Sequence, residues 1–183
     1  IPSIVHDQPG LSQGDIGKLL SAADTLSALP ITIADDRTAG GIYRRARALG
    51  VDGGVVVVDY LQLLAGGKSD SSREEGLSSA SRTLKRMALE LNCVVVVVAQ
   101  PNLAAKRSGK RPTAADLKGA GSVDDDCDLM IVPWIPHRVD ETANRKDAEL
   151  AIANSRHTAT GVVRKDQVMW SPSRVCFRPR RLR

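Results

Sequence analysis

The 183 residues are enough for one domain with a sizeable core. At 42% hydrophobic and 26% charged, with a formal net charge of +5, the composition is that of a soluble globular chain, and its mild basic excess suits a polyanionic partner. No apolar run approaches the roughly 18 residues of a membrane span, and the opening IPSIVHDQPG lacks the basic region and apolar core of a signal peptide.

Residues 11–29 read as a helix, with Leu19, Leu20, Ala23, Leu26 and Leu29 at helical spacing and Pro30 as its stop. Ile31 to Ala34 is a short strand candidate. Residues 38–49 read as an amphipathic helix closed by Gly50. Val55 to Leu64, VVVVDYLQLL, opens with a valine run that predicts a strand buried on both faces of a parallel sheet. Residues 73–91 form the clearest helix, with Leu77, Leu84, Met87, Ala88 and Leu91 on one face. Cys93 to Ala99 is a second buried strand, ending at Gln100. Pro101 to Pro112 is polar and basic and reads as a loop. Leu129 to Val132 is a third strand; Leu150 to Ala153, Gly161 to Val163 and Arg174 to Phe177 are late, antiparallel ones. Strand–helix–strand alternation through the middle predicts βαβ units and a largely parallel sheet. The last six residues, RPRRLR, read as a disordered basic tail beyond a single domain at 1–177.

Asp59 ends the valine strand. An ionised carboxylate there is costly without a partner. In nucleotide-hydrolysing α/β proteins that partner is often Mg²⁺ on ATP, held by a strand-end Asp of the Walker B type. The three cysteines, Cys93, Cys127 and Cys176, have no metal-site spacing. Cys93 and Cys127, which abut apolar runs, read as small buried thiols, and the odd, sparse count suits a reducing, cytoplasmic compartment.

The order of motifs is more specific than any one of them. QPGLSQGDIGKLLSAADTLSALPITIADD at 8–36, DYLQLLAGG, SREEGLSSASRTLKRMALELN, VVVVVAQPNLAAKR, RPTAADLKGAGSVDDDCDLMIV and AELAIANSRHTATGVV follow one another, and the likeness they carry covers about residues 8 to 178. In that order they resemble the C-terminal motor domain of the replicative DNA helicases of the DnaB type. The resemblance implies a RecA-like P-loop NTPase core of the α/β class, in which a largely parallel sheet is flanked by helices and followed by C-terminal antiparallel strands. It also implies ATP and Mg²⁺ as cofactors and a hexameric ring of identical subunits around single-stranded DNA. By the same resemblance ATP would lie between adjacent subunits, hydrolysis would drive 5′ to 3′ translocation and unwinding, and primase and a helicase loader would be partners.

Carried onto this sequence, the resemblance makes Asp59 the Walker B aspartate, holding Mg²⁺ through water. Gln100 becomes the glutamine that senses the γ-phosphate; a neutral amide contacts phosphate and water without desolvating a charge. Arg156 becomes the arginine finger that reaches a neighbouring subunit's ATP. The segment 116–128 becomes the DNA-binding loop, where Lys118 neutralises a phosphate while Gly119 and Gly121 let backbone N–H groups come close. Two positions depart from the family: Asn154 stands where a lysine is usual, and Lys118-Gly119 where Arg-Glu is usual. The acids at 124, 125, 126 and 128 match acidic and amide residues that are normal there, so they are not read as a metal site. Arg107, Lys110 and Arg111 face DNA, a neighbouring subunit or water. Only 3% of residues are aromatic, so base stacking is nearly absent and DNA binding is phosphate-based and salt-sensitive.

The phosphate-cradling pattern G-x-x-x-x-G-K-[ST] does not occur in these residues. Gly67, Lys68 and Ser69 spell its end, but Gln62 stands where its first glycine belongs. The chain, which begins without Met, reads as part of a longer helicase whose loop lies upstream, the alternative being a natural partial gene product. Alone it is expected to bind ATP weakly and not to hydrolyse it. Two rivals are a RecA-like ATPase of recombination or clock type, and a nucleotide-free module that packs against a helicase ring.

Overall fold

A computed structural model describes residues 10, 12–64, 66, 70–116, 121–163 and 167–180. The chain divides into two units, Ile1–Asp35 and Asp36–Arg183.

In the first unit, helix α1 spans Gln13–Ser27. Ser12 caps it, its hydroxyl accepting from the Asp15 N–H at 3.2 Å and donating to the Asp15 carboxylate at 2.6 Å. Hydrogen bonds from Ser12 and then Lys18 hold the Asp15 carboxyl below the usual carboxylate range. The helix is as expected, yet none of its residues is buried. Ile31 to Ala34 lies outside any strand, and Ile33 is 93% exposed. A strand needs a ladder partner for its N–H and C=O groups, and this tetrapeptide has none among the described residues.

The second unit opens with helix α2, Ala39–Ala48. The Thr38 hydroxyl caps it, accepting from Gly41 N–H at 3.1 Å. A Cβ at Gly41 would stand 3.1 Å from both the Asp36 carboxylate and the Thr38 hydroxyl, so glycine lets this turn close. Asp36 pairs with Arg45 one helix face away. Gly50, at φ +65°, takes the chain out of the helix.

Strand β1, Val55–Val58, and strand β2, Val94–Val97, pair in parallel, Val55 opposite Val94 and Val58 opposite Val97. Helix α3, Asp70–Glu90, is the crossover between them. Its buried face, Leu77, Ala80, Leu84 and Met87, packs on Val58, on Leu61 in a short 3₁₀ turn, and on Ala39 and Ala46 of α2. Asn92 adopts a left-handed conformation after α3, at φ 46°, and its amide donates to Asp52 at 2.9 Å. Gly53 N–H then bonds the Asn92 carbonyl, and Val94 N–H the Gly54 carbonyl, which starts the parallel ladder.

One expectation fails here. The valine strands are covered on one face only. Val56, Val58 and Val95 turn to the core, whereas Val55, Val57, Val94 and Val96 are 61%, 65%, 59% and 47% exposed. A valine run cannot distinguish a strand covered twice from one whose second face has no neighbour in the same polypeptide.

Strands β3 (Leu129–Trp134), β4 (Glu149–Ser155) and β5 (Gly161–Val163) form an antiparallel sheet in that order. The β3–β4 register shifts between Met130 and Ile131, leaving Ala153 as an extra residue on β4. Strands β6 (Val168–Ser171) and β7 (Cys176–Pro179) form a hairpin, with Trp170 edge-on to Phe177 at 5.2 Å. The class is therefore mixed α/β as expected, with parallel pairing confined to β1 and β2 among the described residues.

Three local readings change. Residues 101–112 are not all loop: helix α4, Leu103–Ser108, is capped by Asn102, which accepts from Ala105 N–H at 2.8 Å, and closed by Gly109 at φ +65°. Strand β6 has only four residues and no alternation that marks it. β7 takes in Arg178 and Pro179, and the Arg180 guanidinium pairs with Asp147 at 3.2 Å. The basic end is thus strand as far as 179, and residues 181–183 lie outside the described ones.

Candidate functional site

Asp59 follows Val58 at the carboxyl end of β1, and Gln100 lies three residues beyond Val97 of β2. Parallel register places both at one edge of the pair, the edge where open α/β sheets bind their ligands. Both side chains are exposed. The ladder continues past the strands: Val98 N–H bonds the Val58 carbonyl and Leu61 N–H the Val98 carbonyl, each at 2.9 Å. Gln62 then reaches across, its amide donating to the Gln100 carbonyl at 2.9 Å and accepting from the Gln100 N–H at 3.2 Å. Sequence reasoning passed over Gln62. Its signal was a lone amide among the leucines of YLQLL, three residues after the carboxylate.

Arg156 is not on this pair but follows β4 of the antiparallel sheet. Its guanidinium donates to the Asp125 carbonyl, and its N–H bonds the Asp128 carbonyl at 3.0 Å. Asp125 belongs to helix α5, Gly121–Asp126. Gly121 is its first residue; Lys118 and Gly119 lie outside the described residues, as do Gly67, Lys68 and Ser69. Asn154 donates to both the carbonyl and the carboxylate of Asp124, at 3.0 and 2.8 Å.

Lys85, from α3, bonds both Asp128 carboxylate oxygens at 2.6 Å. That hydrogen bond holds the Asp128 carboxyl below its usual range, against a smaller opposing effect of burial. Lys85 gave no signal in sequence because it sits on the polar flank of an ordinary amphipathic helix. Burial, helped by Asp124 and Asp128, pushes the Cys127 thiol up, and burial alone does so for Cys93. Neither is primed as a thiolate.

Among the described residues, no three His, Cys, Asp or Glu side chains gather as a metal cage. Asp59 nevertheless fits Mg²⁺ in kind. It is an exposed hard oxygen donor at a strand end, and Mg²⁺ is commonly held by one or two carboxylates together with water and substrate phosphates.

A family model for the DnaB-like helicase C terminal domain matches residues 3–178. The replicative DNA helicase DnaC of Bacillus subtilis (strain 168) is 33% identical over 160 residues, 84% of this chain and 35% of that protein. DnaB of Geobacillus stearothermophilus is 32% identical over 160 residues, again 84% of this chain and 35% of that protein. The chain thus spans about a third of the length of these relatives. Among solved structures, the ATPase domain of G40P is similar with a TM-score of 0.82 at 27% identity, over 93% of this chain and 62% of that one. A DnaB-like replicative helicase, described with its interactions with primase, is similar with a TM-score of 0.76 at 29% identity, over 89% of this chain and 40% of that one. With the parallel β1–β2 pair, its strand-end Asp59 and Gln100 and the antiparallel strands that follow, the chain belongs to the DnaB-like helicase C-terminal domain family, with its RecA-like motor fold.

Proposed function

We propose that this chain is the nucleotide-sensing and DNA-gripping part of an ATP-driven replicative helicase, working in a hexameric ring of identical subunits that encloses single-stranded DNA. The observation that carries this reading is the placement of Asp59 and Gln100 at one carboxyl edge, with Gln62 linking the Asp59 segment to the Gln100 backbone. Asp59 would hold Mg²⁺ through water, and Gln100 would present its amide toward the terminal phosphate. Bound Mg²⁺ neutralises charge on the β- and γ-phosphates during phosphoryl transfer. Arg156, just past β4 of the antiparallel sheet, would serve a neighbouring subunit's nucleotide, where a planar guanidinium suits charge spread over the phosphoryl oxygens. Lys118, Gly119 and Gly121 would grip the DNA backbone without reading bases, as an enzyme that runs along any sequence requires. Primase and a loader are the proteins expected to dock on the complete ring; the solved relative described with primase supports the first.

The test uses the full-length parent protein and a forked duplex with a free 5′ single strand. Strand release should require ATP and Mg²⁺ and should stop with a non-hydrolysable analogue. Absence of release at saturating ATP, with DNA bound, would sink the reading.

A further inference from the structure

We propose that Asn154 is a positioning residue that locks helix α5, within the DNA-binding segment 116–128, to the strand that leads into Arg156. The proposal rests on the helicase reading of those two elements. An amide has two N–H donors on one nitrogen, and Asn154 directs that nitrogen to a single residue, bonding both the backbone carbonyl and the carboxylate of Asp124 at 3.0 and 2.8 Å. Backbone and side chain of α5 are thereby fixed from one point. The β4 bulge at Ala153 immediately precedes Asn154, and bulges re-aim the side chains beside them.

The remaining ties of α5 show what Asn154 adds. Arg156 donates to the Asp125 carbonyl of α5, and Lys85, from α3, holds Asp128 two residues past the end of α5. If Arg156 leaves Asp125 to serve a neighbour's nucleotide, Asn154 remains the side-chain tie between β4 and α5 among the described residues. Gly121, the first residue of α5 and part of the DNA-binding segment 116–128, lies three residues before Asp124. A displacement of the loop therefore passes through α5 and Asn154 into β4, and two residues later reaches Arg156. The short side chain at this position turns toward the helix and places its amide on Asp124.

The experiment measures ATP hydrolysis by the full-length protein with and without single-stranded DNA, together with DNA affinity. Asn154→Ala should lower the ratio of stimulated to unstimulated rate at least about fivefold, with DNA affinity within about twofold of the parent. Asn154→Asp, which sets a carboxylate against Asp124, should lower the ratio further. Combining it with Asp124→Asn restores a donor–acceptor pair and should recover at least about half of the ratio. An unchanged ratio in Asn154→Ala, or no recovery in the exchanged pair, overturns the proposal while the helicase reading stands. So does a ratio above the parent's in Asn154→Lys, which would place position 154 on the nucleotide. A parent protein with no DNA-stimulated hydrolysis overturns the helicase reading and this proposal with it.

Discussion

Gln62 holds the backbone of Gln100 from both sides, donating to its carbonyl at 2.9 Å and accepting from its N–H at 3.2 Å. Past the end of the ladder, this amide continues the strand pairing in side-chain form. Gln62→Ala removes both bonds from a site open to water, so it should cost only about 1 kcal/mol in urea unfolding. In the full-length protein its main effect should be on turnover, because the backbone that aims Gln100 is released. A variant with unchanged turnover would show that Gln100 needs no such support.

The core prediction concerns Met87, which is fully buried under α2 and the Leu61 turn. Met87→Ala should destabilise the protein by about 2–5 kcal/mol, because the lost contacts leave a cavity that the α2–α3 packing fills only in part. Leu89, exposed on the same helix, is the control: Leu89→Ala should change stability by less than about 0.5 kcal/mol. Equal effects would contradict the assignment of the α3 face.

The Lys85–Asp128 pair predicts a pH dependence. The Asp128 carboxyl is depressed in the folded state by its hydrogen bond to Lys85. Its contribution to stability is therefore complete above the unfolded value of about 3.9 and is lost as pH falls through the lower folded value. Asp128→Asn should flatten the fall in stability with acidification below about pH 4. Denaturant midpoints at stepped pH would test this, and parallel curves for both proteins would contradict it.

The sequence contains no phosphate-cradling loop, so calorimetric titration of the 183-residue chain with millimolar Mg-ATP should show only weak binding and no hydrolysis. Tight binding would mean that another part of the chain cradles the phosphates.

Helices α1, α2 and α3 were legible because their apolar residues repeat at helical spacing between recognisable stops such as Pro30 and Gly50. The candidate site was legible as types of residue in an order: a carboxylate after four valines, an amide after five valines and an alanine. What sequence could not supply was pairing between segments. Gln62 and Gln100 are far apart in the chain, as are Lys85 and Asp128, and neither pair carries a local signal. The exposed side of Val55, Val57, Val94 and Val96 was hidden for a related reason: β-propensity records a strand and not what lies over each face. Strand β6 was too short to show a period. Asn154 was visible as a departure from the family, but only the fold showed it turned toward Asp124.

The central claim, that Asp59 and Arg156 serve one nucleotide from two subunits, is tested most directly by mixing variants of the full-length protein. Asp59→Asn and Arg156→Ala should each abolish DNA-stimulated ATP hydrolysis by about a thousandfold when alone. In a one-to-one mixture, about a quarter of the interfaces join an intact Asp59 to an intact Arg156, so hydrolysis should return to about a quarter of the parent rate. A mixture as inactive as its components, with mixed rings demonstrated, would contradict the account.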